Sequence, residues 1–170
     1  GQTVTTNYIY NGKKLVELTC GEDTLHFFYD IHNHPLYVKY GSHVYTFVMN
    51  ISGDIVGVDS DAGEHIMQYK YDPWGKVTVN FYKKTADVMF VSQNPILYKE
   101  YQWDNEIEMY ILQSRCYNPK LNRFINSDTE VSISTFCAKH NLFSYCSNNP
   151  INACDPDGRG PLLLPYKLVS

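Results

Sequence analysis

Near the end of the chain the run CDPDGRG, Cys154 to Gly160, brings together the residue types of a tight turn and a carboxylate at its head. Asp155 at the first turn position can bond the backbone two residues on. Pro156 presets φ at the second, and Gly158 takes the awkward exit, as a type I β-turn prefers. The same stretch could be read as a place where the chain cuts itself, and only the rest of the sequence decides between these. Close by, Cys137, His140, Cys146 and Cys154 would make a Cys₃His set for a structural zinc. Structural zinc sites usually draw their ligands from tight pairs, and five cysteines without CxxC spacing argue instead for free thiols that pack as small hydrophobes. His26, His32, His34 and His43 are spaced within 18 residues, with Asp30 as the one further candidate ligand, and read as residues of solvated turns.

The elements that must position these groups are set by a repeat. An aromatic or apolar residue, then Asp or Asn, then turn residues and a β-prone run recur at Tyr10-Asn11, Tyr29-Asp30, Met49-Asn50 and Tyr71-Asp72, at spacings of 19, 20 and 22 residues. Looser copies follow at Trp103-Asp104 and Tyr117-Asn118. Each copy reads as a strand ending in an aromatic, a turn opened by Asx chemistry and a return strand, which is one hairpin. A lone hairpin cannot bury its apolar face, so stacked copies predict a sheet that grows by successive antiparallel hairpins. Alternation predicts Tyr8 and Tyr10 on one side with Leu15 and Glu17. Fifteen tyrosines among 170 residues support a mainly all-β chain.

Between Phe81 and Lys99 the pattern lapses, and Asn94-Pro95 suits a turn, so a loop with one short helical turn is expected there. A second short helix is expected from Asn141 as cap through Leu142 to Cys146. A net charge of −4, with Lys13-Lys14 and Lys83-Lys84 as isolated basic pairs, offers no stripe for a phosphate backbone, so nucleic acid is not an expected partner. No apolar run approaches the roughly 18 to 20 residues of a membrane helix. The start, GQTVTTNYIY, lacks the charged and apolar regions of a signal peptide and begins mid-pattern, as a piece of a longer protein would.

Taken in order, YDPWGKV, then NPILYKEYQWDNEIEMYILQSRCYNPKLNRFINSD, then HNLFSYCSNNPINACDPDG resembles the RHS-repeat-associated core domain, and the Tyr-Asx units before it resemble YD repeats. The likeness runs from about Tyr8 to Gly158. It implies a β-shell that encloses a C-terminal toxic cargo, with the core closing one end, in secreted or cell-surface proteins of bacteria. It also implies an aspartyl self-cleavage just after a DPxGL motif, in which two carboxylates share a proton and an Arg balances charge. The matching positions are Arg115 in SRCYNP, Asp128 at the end of NRFINSD and Asp155 in DPDG. Arg159 stands where that motif has Leu, so efficient cleavage is not expected.

The resulting organisation is YD-repeat hairpins over 1–80, a connecting loop over 81–100, the core over 101–158 and a tail over 159–170. The expected role is a structural module that completes the shell. Self-cleavage near DPDG is the enzymatic alternative, and a surface module stacking sugars on tyrosine is a third reading. The expected partners are the chain's own upstream repeats and a C-terminal cargo segment, and no cofactor or metal is expected. Exposed sheet edges predict pairing with a second copy.

Overall fold

The computed structural model describes residues 5–127 and 141–164 of the chain. Eight strands follow one another: β1 (Thr6–Asn11), β2 (Lys14–Cys20), β3 (Asp23–Tyr29), β4 (Pro35–Tyr40), β5 (His43–Met49), β6 (Ile55–Asp59), β7 (His65–Tyr71) and β8 (Val77–Phe81). They neighbour one another in sequence order in a single sheet, antiparallel through the pairs from β1 to β7. The fold is therefore mainly antiparallel β, built of successive hairpins, as the repeat predicts.

The Asx residue of the repeat organises the turn through its side chain. Asp30 Oδ1 accepts from the main-chain N–H of His32 and His34, both at 2.8 Å. Asp72 does the same for Trp74 and Lys76, both at 2.9 Å. Three residues after the turn-opening position the backbone is left-handed in each wide loop: Asn33 at φ 74°, Gly53 at 81°, Gly63 at 74° and Gly75 at 86°. The first copy departs from this. Asn11 leads directly into Gly12 at φ 62°, a two-residue loop of the kind also used at Gly21 and Gly41, where glycine first supplies the twist that matches paired strands.

One sheet face is buried through alternation. Leu25 and Phe27 in β3 and Tyr45 and Phe47 in β5 point inward, joined by Leu18, Val38, Val58, Ile66 and Met67. Each such side chain contributes about 1.5–3 kcal/mol by leaving water. Leu18 rather than Glu17 shares the face of Leu15, because the register shifts between Ile9 and Tyr10 so that Tyr8 opposes Leu18 and Tyr10 opposes Leu15. That bulge turns Glu17 outward, where it pairs with His26 at 3.3 Å. Tyr8 and Tyr10 stay nearly half exposed on the edge strand.

The expected helical turn is α1 (Ala86–Val91), capped by Thr85 Oγ1, which accepts from Val88 N at 3.3 Å. It buries Val88, Phe90 and Val91, and Phe90 packs its ring 4.8 Å from that of Tyr40. No described helix is long and apolar enough to cross a membrane.

The chain divides into two compact units that do not follow its linear order. The turns at Ile51–Asp54 and Lys70–Thr78 group with the described residues from Pro95 onward, and the rest of the chain before Pro95 forms the other unit. Within the later unit β9 (Gln102–Asp104), β10 (Met109–Ile111), β11 (Cys116–Asn118) and β12 (Arg123–Phe124) make an antiparallel sheet in the order β12-β11-β10-β9. The looser repeat copies supply its hairpins: Asp104 Oδ1 accepts from Glu106 and Ile107, and Asn118 Oδ1 from Lys120 and Leu121. A small ribbon, β13 (Ala153–Cys154) with β14 (Leu162–Leu163), closes the described chain. Asn141 does not begin a helix. Its Oδ1 accepts from Phe143 N at 3.0 Å, the local Asx bond that competes with a helical start, and a 3-10 turn comes later at Cys146–Asn148.

Candidate functional site

Arg115 and Asp155, forty residues apart in sequence, meet inside the second unit. Arg115 stands just before β11, at the corner where Leu112 N bonds back to the Arg115 carbonyl at 3.0 Å. Asp155 stands just after β13, and the DPDG loop carries the chain from there to β14. Arg115 Nη2 donates to Asp155 Oδ2 at 3.1 Å, Nη1 donates to the Leu142 carbonyl at 3.2 Å, and Nε donates to the Gly158 carbonyl. The guanidinium carbon lies 3.7 Å from the centre of the Phe124 ring, so a flat cation is held between an aromatic face and three acceptors.

Ser114 completes the cradle. Its Oγ lies 2.8 Å from the Asp157 carbonyl and 2.7 Å from the Gly158 carbonyl, and its main-chain N–H donates to Asp157 O at 3.1 Å. Gly158 has φ 76°, and a Cβ there would sit 2.8 Å from Ser114 Oγ, so both conformation and close approach require glycine. The loop also bonds itself: Gly160 N donates to Asp155 Oδ1 at 3.0 Å, and Arg159 N to Asp157 Oδ1 at 3.1 Å.

Asp155 is 1% exposed and Arg115 6%. Burial raises the Asp155 carboxyl above its ordinary value, against the lowering pull of the Gly160 N–H and the Arg115 charge. Its main-chain N–H donates to Tyr101 Oη at 2.9 Å, and that hydroxyl lies 3.1 Å from Tyr145 Oη. Both phenols are pushed well above their usual range by burial.

The tyrosines around the site are satisfied by main chain. Tyr98 Oη donates to Pro73 O at 2.9 Å, Tyr117 Oη to Trp74 O at 2.7 Å and Tyr110 Oη to Gly75 O at 2.8 Å. Three successive carbonyls of the fourth Tyr-Asx turn thus take three buried hydroxyls, which is why those rings can be fully enclosed. Gly75 is required beneath them, since a Cβ would meet the Tyr98 ring at 2.6 Å.

Of the three residues the family resemblance implies, the structure brings Arg115 and Asp155 together, while Asp128 lies outside the described residues. Cys137 and His140 of the drawn zinc set lie outside them too. Cys146 and Cys154 are free thiols that burial raises, Cys146 to about 12. Among the described residues no group of three His, Cys, Asp or Glu could hold a metal ion. His32 and His34 serve the Asp30 turn through their main-chain N–H groups. His26 and His43 line a polar groove of about 550 Å³ with Asp23, Lys39, Tyr40 and Asp87, and His43 pairs with Asp61 at 2.9 Å. Sequence reasoning passed over Ser114, Tyr101 and Asp157. The one available signal was that Ser114 precedes Arg115 and Asp157 sits inside the turn already singled out.

No family model matches the chain. It is similar to the tRNA3(Ser)-specific nuclease WapA of Bacillus spizizenii, 29% identical over 157 residues that make 90% of this chain and 6% of that protein. It is also similar to the tRNA nuclease WapA of Bacillus subtilis, 32% identical over 114 residues, 67% of this chain and 5% of that protein. The chain thus spans only about one-twentieth of these curated relatives. Among solved structures, the crystal structure of TcdB2-TccC3 matches 91% of this chain and 7% of that one, at TM-score 0.65 and 19% identity. The Photorhabdus luminescens Tc holotoxin pore matches 94% of this chain and 7% of that one, at 0.66 and 18%. The antiparallel architecture described above, in both of its units, is a fold also present in structures that contain TccC3.

Proposed function

We propose that this chain is a structural segment of an RHS-type protein, in which its Tyr-Asx hairpins form part of a β-shell and its tyrosine-rich unit finishes that wall around a C-terminal toxic segment. The observation that carries this reading is the unbroken meander of like hairpins, a one-dimensional design that extends by adding copies. The TccC3-containing neighbours support it by fold, and the WapA proteins support it by sequence. The tRNA nuclease activity belongs to the names of those relatives, of whose length this chain spans about one-twentieth. This segment carries 18 acidic against 14 basic residues, a poor electrostatic match to RNA. Such a segment works in a secreted or cell-surface protein. The test is protease protection in the longer protein that contains it: deleting this segment exposes the downstream region to digestion. Equal resistance with and without it would refute the shell role.

A second reading, self-cleavage, is favoured by one observation. Asp155 Oδ1 lies 3.0 Å from Gly160 N, the nitrogen of the peptide bond after Arg159, and the buried carboxyl is held by Arg115. Intact-mass measurement of the purified chain tests it, and Asp155→Asn abolishes any cut that this carboxyl supports.

A further inference from the structure

We infer that Lys99 and Asp54 form a covalent site, in which the lysine amine condenses with the aspartate carboxyl to an isopeptide bond. The bond would tie the turn that leads into β6 to the turn that leads into β9. This inference goes beyond the shell reading and does not depend on it.

Both groups belong to the same compact unit and both are withdrawn from water, the Lys99 side chain 5% exposed and that of Asp54 10%. Lys99 Nζ stands 3.9 Å from Asp54 Oδ1, too far for a direct hydrogen bond to that oxygen. Two charges taken out of water are compensated only when their geometry is close, so as an ion pair this one is poorly arranged. What the surroundings do fix is position. The main-chain N–H of Lys99 donates to the same Asp54 Oδ1 at 3.0 Å, and Nζ donates to the carbonyl of Ser52 at 3.4 Å. One residue thus brings its backbone and its amine onto one short turn. The Tyr98 ring, 3% exposed, lies beneath the amine with its centre 5.3 Å from Nζ. Lys99, at φ 52° and ψ 28°, and Glu100, at φ 61°, are both left-handed without being glycine. Such backbone persists only where the neighbouring structure holds it, and it gathers at sites with a task.

Condensation suits this arrangement better than charge pairing does. A lysine amine is a nucleophile toward carbonyl carbon, and the carbon held beside it is that of Asp54. Fixing two reactants side by side supplies much of the rate of joining them, and an enclosed site keeps water from reversing the step. The step balances without a co-reactant. One ammonium proton passes to the carboxylate, giving an amine and a carboxylic acid. The nitrogen lone pair bonds to Asp54 Cγ, the bond from Cγ to the hydroxyl breaks, and the hydroxyl leaves with a second amine proton as water. Nothing is oxidised or reduced, and two buried charges become one amide.

The experiment is intact-mass measurement of the full chain after unfolding, followed by tryptic digestion and fragment sequencing by mass spectrometry. The expected result is a chain lighter than its sequence by one water, with trypsin failing to cut after Lys99 and one branched peptide joining Lys99 to Asp54. Lys99→Arg keeps the positive charge but cannot condense, so it is expected at its full sequence mass. A wild-type chain at full sequence mass, cut normally after Lys99, overturns the inference. So does a branched peptide that joins other residues, or a missing water that persists in Lys99→Arg. The shell role is tested separately by protease protection.

Discussion

In the eight-stranded sheet the buried side chains are mostly aliphatic, Leu18, Leu25, Val38, Ile55, Val58 and Ile66 among them, whereas the unit from Pro95 onward is centred on Tyr98, Tyr101, Tyr110, Tyr117 and Tyr145. Both use an Asx residue to open their turns, Asp30 in the first and Asp72, Asp104 and Asn118 in the second. The difference lies in what the core demands. An aliphatic core asks only for area and volume. A tyrosine core asks in addition for an acceptor at each hydroxyl, and here those acceptors are the Pro73, Trp74 and Gly75 carbonyls. The first arrangement can be repeated with many sequences, while the second works only when a particular turn presents its carbonyls.

The comparison can be strained in four ways, beginning with the charge that belongs only to the tyrosine-rich unit. Arg115→Met leaves the Asp155 carboxyl buried without its cation and is expected to cost about 3–5 kcal/mol in urea unfolding. Adding Asp155→Asn should return part of it, and a loss below about 1 kcal/mol would mean that the pair is not load-carrying in the fold. In the meander, Leu25→Ala removes a fully buried side chain and should cost about 3 kcal/mol by the same measurement. A negligible change there would remove the contrast between the two cores.

Tyr110→Phe is the sharper probe of that contrast. It keeps the ring and leaves Gly75 O without its donor, at an expected cost of about 1–3 kcal/mol. The exposed Tyr82→Phe in the other unit should stay within about 0.5 kcal/mol. Equal effects of the two would show that the hydroxyls are not what distinguishes the units. The smallest effect concerns pH. The His34 and His32 main-chain N–H groups hold the Asp30 carboxyl below its ordinary value. A carboxyl lowered on folding contributes stability that is present above its unfolded value and fades as pH falls through its folded one. Acid unfolding of Asp30→Asn, which keeps an acceptor oxygen for the turn, should therefore lack that component. An unchanged acid profile, with Asp30 titrating at its ordinary value by NMR, would contradict it.

Much of the meander was legible in the residues themselves, because turn chemistry is local. Asp30 bonds atoms two and four residues away, so its role is written within its own loop. The same holds for the helical turn at Ala86–Val91, signalled by the lapse of the repeat and ended before Asn94-Pro95. The misplacements came where two local rules competed. Glu17 alternates correctly with Leu15 on paper, yet a bulge shifts the register and puts Leu18 on that face. Asn141 can cap a helix or close an Asx turn, and its neighbours do not choose between them.

For the site, the family resemblance carried by the ordered motifs singled out Arg115 and Asp155, and no reading of spacing brought in Ser114, Tyr101 or Asp157. What the chain determines by itself is the alternation of strands and Asx turns, since each is decided by atoms a few residues apart. Which carbonyl receives Ser114 and Arg115, and which three receive the buried tyrosines, depends on contacts between residues 25 to 44 positions apart. Such pairings exist only once the sheets have closed, because a buried donor takes the acceptor that packing brings to it.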